Sequence, residues 1–249
     1  HIITPSAATV RDIRAEYAVP DDRLSIIPPS VSESLRFSPT LWQTEEGKQF
    51  LAREGLQNRP PLVLYVGSEH QRKNLGRLLE AFASVRQRMP NACFVKVGDA
   101  GVASGRREFQ ETVERLHLGE SVRVVEESDD TALRLWYHAA TVLAFPSFYE
   151  GFGFPPLEAM ACGTPVITSN RSSLPEVVGD AAILVNPEDT TAIADALQRV
   201  LTDAALRASL RERGLARAAR FTREAMVNAT LRVYERVDAE RRMLEYPVF

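Results

Sequence analysis

Two clusters in this 249-residue chain carry chemistry by residue type and spacing. The first is Phe148-Tyr149-Glu150-Gly151-Phe152-Gly153-Phe154-Pro155-Pro156-Leu157-Glu158. In a continuous helix Glu150 and Glu158 would stand roughly 12 Å apart. A loop entering a helix can instead lay both carboxylates along one extended ligand. Carboxylates accept hydrogen bonds from hydroxyl pairs, so vicinal diols suit them. Gly151 and Gly153 allow positive φ or a close backbone approach. Pro156 suits the first turn of a helix. Gly153, Phe154 and Pro155 offer no side-chain acceptor to cap that helix, so its first N–H groups are left for a ligand. Such a terminus favours an anion. Structural readings stand beside these: Glu158 suits the helix dipole without any ligand, and Gly-Phe-Gly could be a tight turn.

The second cluster is Gly67-Ser68-Glu69-His70-Gln71-Arg72-Lys73-Asn74. Arg72 and Lys73 precede a helix, where the dipole disfavours cations. A bound diphosphate would account for them; a solvated basic pair is the plainer alternative. Lysines are scarce here, with only Lys48, Lys73 and Lys96 among 30 basic residues, which draws attention to Lys73. His70 is an acid–base by type but has no carboxylate orienter beyond Glu69, and reads as solvent-exposed. Together the clusters describe an anionic centre with hydroxyls on both sides. A nucleotide sugar has that layout.

The elements that must position these residues follow from hydrophobic periodicity. Apolar runs at Leu62–Val66, Cys93–Val97, Val122–Val125, Thr141–Phe145, Pro165–Thr168 and Ala182–Val185 read as strands. Most are followed by apolar residues at helical spacing, such as Leu75, Leu78, Leu79, Phe82 and Val85. Unalternating strands with intervening helices indicate a doubly wound parallel α/β sheet, Rossmann-like, covered on both faces. Ligands of such sheets bind beyond the carboxyl ends of the strands. Helices are expected near 105–117, from Asp129 with Ser128 or Asp129 as cap, from Pro156, and through 190–243 with a break near Gly214. Ser6 to Tyr17 reads as a helix and Ser25 to Ile27 as a strand. The polar run 30–47 reads as a linker, His117 and His138 as structural helix residues, and the tail Tyr246 to Phe249 as loosely held.

Composition excludes other classes. With 45% apolar and 25% charged residues the chain is not disordered. It has no run of about 18 apolar residues. A net charge of −3 argues against nucleic acid. Cys93 and Cys162 form no disulfide framework and read as inert core thiols. The sequence has no metal-ligand spacing, Gly-x-Ser-x-Gly elbow, phosphate-binding Gly-x-x-x-x-Gly-Lys loop or Gly-x-Gly-x-x-Gly after the first strand.

Glu150 to Glu158 resembles the Glu-x7-Glu signature of retaining GT-B glycosyltransferases of glycosyltransferase family 4. The similarity extends through Tyr65-Val66-Gly67, Arg72-Lys73-Asn74, Leu78 to Phe82, Pro146 to Gly153 and Leu157 to Val166. Ser169 to Val177 resembles the subgroup that builds O-antigen, lipopolysaccharide and exopolysaccharide, with mannosyl donors such as GDP-mannose favoured. The resemblance implies that Glu150 contacts the donor sugar and aids catalysis. Gly151, Phe152, Gly153, Phe154 and Leu157 would present the loop to sugar and diphosphate, and Glu158 would hold the ribose. Arg72 and Lys73 would neutralise the departing diphosphate. Gly67, Ser68, Val125 and Asp129 would line the donor, the last two near the base. Ser68 stands where many relatives have arginine, and Glu126-Glu127 replaces a glycine-containing turn.

The resemblance further implies a division into 1–28, the remnant of an N-terminal acceptor domain; 29–59, an interdomain linker and the helix leading in; 60–220, the nucleotide-sugar-binding domain; and 221–249, a helix crossing back. The chain begins at His1 rather than Met, and the expectation is a donor-binding half that is inactive in transfer alone. The co-substrate would be a nucleoside diphosphate sugar, with no metal required and no cofactor. A glycan or lipid-linked acceptor would bind through the missing half. The expected location is the cytoplasm, or the inner membrane face as a peripheral protein. The alternatives are a non-catalytic sugar-nucleotide-binding module and another GT-B-like enzyme, a sugar-nucleotide epimerase or a phosphorylase. No lysine is a clear pyridoxal phosphate candidate.

Overall fold

Six strands form one parallel sheet: β3 (Leu62–Val66), β4 (Cys93–Val97), β5 (Val122–Val125), β6 (Val142–Phe145), β7 (Val166–Ser169) and β8 (Ile183–Val185). β1 (Ile2–Thr4) and β2 (Leu24–Ile26) pair separately, also in parallel. The computed structural model describes residues 1–126 and 129–245, with side chains through 242. The expectations for Ser128 as a cap, for Glu127 and for the tail 246–249 lie outside the described residues.

The sheet order is β5-β4-β3-β6-β7-β8. The chain builds outward from β3 to β5, then returns to β6 and builds the other way. Its topological switch point therefore lies between β3 and β6. Every residue of β3 and β6 is buried, which explains their unalternating apolar sequence. β3 matches β4 from Leu62 opposite Cys93 to Val66 opposite Val97. All these strands thus end at one edge.

Ten α-helices complete the described fold: α1 (Ala7–Glu16), α2 (Glu45–Arg53), α3 (Leu75–Arg88), α4 (Ala103–Arg115), α5 (Asp130–Ala139), α6 (Phe154–Ala161), α7 (Leu174–Val178), α8 (Thr190–Thr202), α9 (Ala204–Ala218) and α10 (Arg223–Glu245). The apolar stripe of α3 is buried as its spacing requires. Gly214 does not break the chain. It lies inside α9, where a Cβ would stand 3.2 Å from Met160 Cγ on α6. His117 falls just after α4 at φ 53 rather than within a helix.

The run 30–47 reads as polar, yet Val31, Leu35 and Leu41 are buried in the main core. Phe50 of α2 meets Trp136 edge-on at 5.0 Å. At the far end α10 returns to the first strands: Arg23 pairs with Glu240 at 2.6 Å, and Arg236 reaches Ser25 at 3.1 Å.

Candidate functional site

The loops after β3 and β6 meet at the switch point. Asn74, at the start of α3, is left-handed with φ 60 and ψ 35. Its side-chain amide donates to the Pro146 carbonyl at 3.0 Å and the Pro187 carbonyl at 2.6 Å. Phe148 N–H donates to the Arg72 carbonyl at 2.8 Å. These bonds fix the two loops together. Lys73 Nζ then stands 2.7 Å from Glu150 Oε1, and Arg72 Nη1 3.1 Å from Glu150 Oε2. Lys73 also lies over the Phe145 ring, 5.0 Å from its centroid. Burial pulls the Lys73 ammonium below its usual range, while the hydrogen bond to Glu150 opposes that shift.

The placement of the two cations differs from the simple helix-terminus reading. Gln71–Lys73 is a 3-10 turn, separated from α3 by left-handed Asn74. Arg72 and Lys73 therefore end a short turn, where its dipole accepts cations, and their direct partner is Glu150.

The Glu150 loop is held by its carbonyls. Ser173 Oγ lies 2.8 Å from the Glu150 carbonyl and 2.5 Å from that of Phe152. The Gly151 carbonyl accepts from Ser6 Oγ at 2.6 Å and from Thr9 Oγ1 at 3.2 Å. Glu150 N–H donates to Ser172 Oγ at 2.9 Å. In a planar trans peptide the N–H points opposite to the C=O. The N–H groups of Gly151, Phe152 and Gly153 are thus turned away from the residues that hold those carbonyls. Gly153 has φ 118, and a Cβ there would stand 2.8 Å from Leu174 Cδ2; glycine is required on both counts.

Gly153 precedes α6 and no side chain caps that helix. The helix starts two residues earlier than Pro156, so Pro155 and Pro156 both lie in its first turn. They remove two of the N–H groups expected to be free there. Leu157 N–H reaches the Gly153 carbonyl at 3.4 Å. Phe154 keeps the first-turn N–H.

Side-chain capping is distributed unevenly. Ser6, Thr44, Asp129, Asp189 and Asp203 cap α1, α2, α5, α8 and α9. The helices following β3, β4, β6 and β7 have no side-chain cap. The helices after β5 and β8, which end at the same edge, are the capped ones of this set.

Glu158 is held from α5. Tyr137 Oη, fully buried, donates to Glu158 Oε2 at 2.6 Å. Burial raises the Glu158 pKa, the Tyr137 hydroxyl opposes that, and the charge of Asp130 adds to it. Asp130 in turn accepts from Ser34 at 2.8 Å and Ser32 at 3.0 Å.

A cleft of 620 Å³ brings together Lys73, Glu150, Gly151, Phe152, Gly153 and Phe154, facing Ile3, Ile27 and Met226. Its size is ordinary for a small-molecule site. The Phe152 ring is buried against Phe154 and Phe221, leaving its backbone for a ligand. Leu157 is buried in the core and does not line this cleft. Arg72 lies outside the cleft lining on the exposed side of Glu150. Gly67 follows β3 directly, and the Ser68 carbonyl accepts from Tyr65 Oη at 2.8 Å. The Val125 carbonyl accepts from Gly98 N–H at 2.8 Å. Asp129 accepts from Ala132 N–H at 2.7 Å as the α5 cap.

Sequence reading missed several supports. Ser172, Ser173 and Tyr137 gave no signal apart from the position of the serines after β7. A buried ion cluster was also missed. Glu69 is flanked by Lys96 at 2.9 Å and Arg106 at 2.7 Å, and Arg106 also pairs with Glu126 at 2.5 Å. Lys96 further donates to the carbonyls of Gly98 and Asp99. The scarcity of lysine that singled out Lys73 applied equally to Lys96. Among the described residues no cluster of His, Cys, Asp and Glu is arranged to hold a metal ion. No described helix is long and apolar enough to cross a membrane.

A doubly wound parallel sheet with two cations, a carboxylate and an uncapped helix at its switch point defines a class, the Rossmann-like unit of GT-B glycosyltransferases. The family described as Glycosyl transferases group 1 matches residues 48–217. The chain belongs to that family. Sucrose-phosphate synthase from Thermosynechococcus elongatus superposes with a TM-score of 0.81 at 30% identity, covering 96% of this chain and 58% of that one. O-antigen chain mannosyltransferase B of Escherichia coli is 38% identical over 182 residues, 70% of this chain and 45% of the relative. D-inositol 3-phosphate glycosyltransferase of Corynebacterium jeikeium (strain K411) is 30% identical over 241 residues, 94% and 57% respectively. The chain spans about half the length of these curated relatives.

Proposed function

We propose that this chain is the donor-binding half of a retaining glycosyltransferase. It moves a sugar, mannose or a related hexose, from a nucleoside diphosphate to a growing bacterial glycan such as O-antigen or exopolysaccharide. The observation that carries this reading is the Lys73–Glu150–Arg72 cluster beside the uncapped start of α6. Similarity to an O-antigen mannosyltransferase favours the mannosyl donor.

The chemistry follows from the charges. Breaking the bond between the anomeric carbon and the diphosphate places negative charge on the leaving phosphate. Lys73, Arg72 and the Phe154 N–H meet that charge, and groups already in place stabilise it without reorganisation. The acceptor oxygen bonds the anomeric carbon on the face the phosphate leaves, and its proton passes to the departing phosphate. Glu150 orients the sugar hydroxyls, and Glu158 takes the ribose diol. The residues Val125 and Asp129 lie toward the base, and no metal is needed. The acceptor enters through a preceding domain, and the whole protein works in the cytoplasm or, as a peripheral protein, at the inner face of the membrane.

The test is calorimetric titration with GDP-mannose, UDP-glucose and ADP-glucose, with and without Glu158→Ala. One nucleotide sugar should bind, and Glu158→Ala should weaken it. Unchanged affinity would remove the ribose assignment. Conversion of the donor alone to an epimer would replace transfer with epimerisation.

A further inference from the structure

Helix α1 has no part in the chemistry above, yet it is fastened to the Glu150 loop at three points. Ser6, 2% exposed, donates to the Gly151 carbonyl. Thr9 reaches the same carbonyl. Tyr149 Oη donates to Asp12 at 2.5 Å. The start of the helix is itself held by a second element. The Glu176 carboxylate, on α7, accepts the N–H groups of Ala7 and Ala8, both at 2.9 Å. A carboxylate bonded twice at a helix N-terminus combines charge-assisted hydrogen bonds with the dipole.

Ser6 has one hydroxyl proton. Its oxygen accepts from Thr9 N–H at 3.1 Å as the α1 cap and stands 3.0 Å from Thr9 Oγ1; its 2.6 Å approach to the Gly151 carbonyl, closer than the 3.2 Å of Thr9, directs the proton there. That peptide needs an external hold. Glycine turns at little cost, so the Gly151–Phe152 peptide, like its neighbours beside Gly151 and Gly153, rotates easily unless it is held. Holding its carbonyl toward α1 directs the Phe152 N–H the opposite way. Ser173, with its single hydroxyl proton shared between them, stands against the two flanking carbonyls.

We propose that Ser6 and Glu176 are positioning residues for the donor: Glu176 holds α1, Ser6 on α1 holds the Gly151 peptide, and that peptide presents the Phe152 N–H to the sugar diphosphate. The proposal rests on the donor-binding reading above. It makes the placement of the N-terminal segment a determinant of donor-site geometry.

The experiment compares the wild-type chain with Ser6→Ala, Glu176→Gln and Glu176→Ala. Each is titrated with the nucleotide sugar that binds best among GDP-mannose, UDP-glucose and ADP-glucose, and with the matching nucleoside monophosphate. The monophosphate lacks the sugar and the second phosphate. Ser6→Ala and Glu176→Ala should weaken the nucleotide sugar by about tenfold, as loss of one hydrogen bond implies. Monophosphate affinity should stay within about twofold. Glu176→Gln keeps one acceptor oxygen and should fall between. Circular dichroism melts check folding, and if Glu176→Ala does not fold, the other two variants carry the test. Equal losses for both ligands, or no loss for either, overturn the proposal while the donor reading stands. Failure of the wild-type chain to bind any of the three sugars overturns the donor reading and this proposal with it.

Discussion

Lys73 Nζ and Glu150 Oε1 are 2.7 Å apart although their residues lie 77 positions apart in sequence. They belong to loops after neighbouring strands on either side of the switch point. Both side chains are close to 90% buried. With Arg72 on the second carboxylate oxygen, the three charges sum to one positive unit. A diphosphate bound as proposed would compete with Glu150 for the same cations.

Removing Lys73 should show in stability first. Lys73→Met preserves the aliphatic stem but leaves buried Glu150 with Arg72 as its remaining cation. Breaking one side of a buried pair costs about 3–5 kcal/mol, and Arg72 places this case at or below the lower end. Urea unfolding should show the loss. Glu150→Gln added to Lys73→Met should recover much of it, since the pair's coupling is then absent. A double variant no more stable than Lys73→Met would contradict the coupling. Binding of a nucleoside diphosphate should fall about tenfold or more with Lys73→Met alone, since a charge-assisted contact is lost.

Asn74 should be nearly as intolerant. Its left-handed backbone costs a non-glycine residue about 1–2 kcal/mol, and its amide holds two buried carbonyls. Asn74→Ala keeps the strain and leaves both carbonyls without that donor, for a loss of about 2–4 kcal/mol. Asn74→Gly relieves the backbone but not the carbonyls, so it should fall between wild type and Asn74→Ala. Denaturant midpoints of the three proteins give the order.

The fold was largely legible because buried parallel strands leave unalternating runs such as Leu62–Val66, and α3 repeats its apolar residues at helical spacing. The helix start at Phe154 was not, because two consecutive prolines obscure which of them begins the turn. The same limit applied to Gly214, where a close approach to Met160 looks in sequence like a helix break. Glu150, Lys73 and Glu158 stood out by type and spacing. Their supports did not. Tyr137 reaches Glu158 from another helix, and Ser6 reaches Gly151 across 145 positions; no local pattern encodes such pairings. Arg72 and Lys73 were singled out by a helix-dipole conflict that the 3-10 turn removes, so their pairing with Glu150 now carries the argument.

Glu158 should make stability depend on pH. Burial, its largest influence, raises its folded pKa above the unfolded value. Above the ordinary carboxylate range the folded chain then binds more protons than the unfolded chain. Its contribution is fully present below the unfolded pKa and is lost as pH rises through the folded pKa. Glu158→Gln keeps an oxygen for the Tyr137 hydroxyl and carries no charge. It should melt higher than wild type at neutral pH and close to it in acid, while binding nucleoside diphosphate less tightly. Melts that differ equally at both pH values would contradict the assignment.

Cys162 should be inert. It is 1% exposed, and burial with the nearby Glu158 charge pushes its thiol up to about 12. Iodoacetamide at mildly alkaline pH should leave Cys162 unmodified in the native chain and label it after denaturation, read by mass spectrometry, because the thiolate is the reacting form. Rapid native labelling would mean that the α6 region opens readily.

Glu150→Gln makes the sharpest distinction between binding and catalysis. The Glu150 carboxylate pairs with both Lys73 and Arg72. Neutralising it removes an anionic competitor and leaves two cations for phosphate. Affinity for a bare nucleoside diphosphate should therefore rise, by about three- to tenfold for one partly screened charge. The sugar nucleotide should gain less, since in the proposed role Glu150 also orients the sugar hydroxyls and an amide accepts those hydrogen bonds more weakly. The ratio of nucleotide-sugar to nucleoside-diphosphate affinity, measured by calorimetry at one ionic strength, should fall. In a longer protein that transfers sugar, turnover should fall sharply even as product binds more tightly. Weaker diphosphate binding in Glu150→Gln would show instead that Glu150 chiefly holds the two cations in place, and competition between carboxylate and phosphate would have to be abandoned.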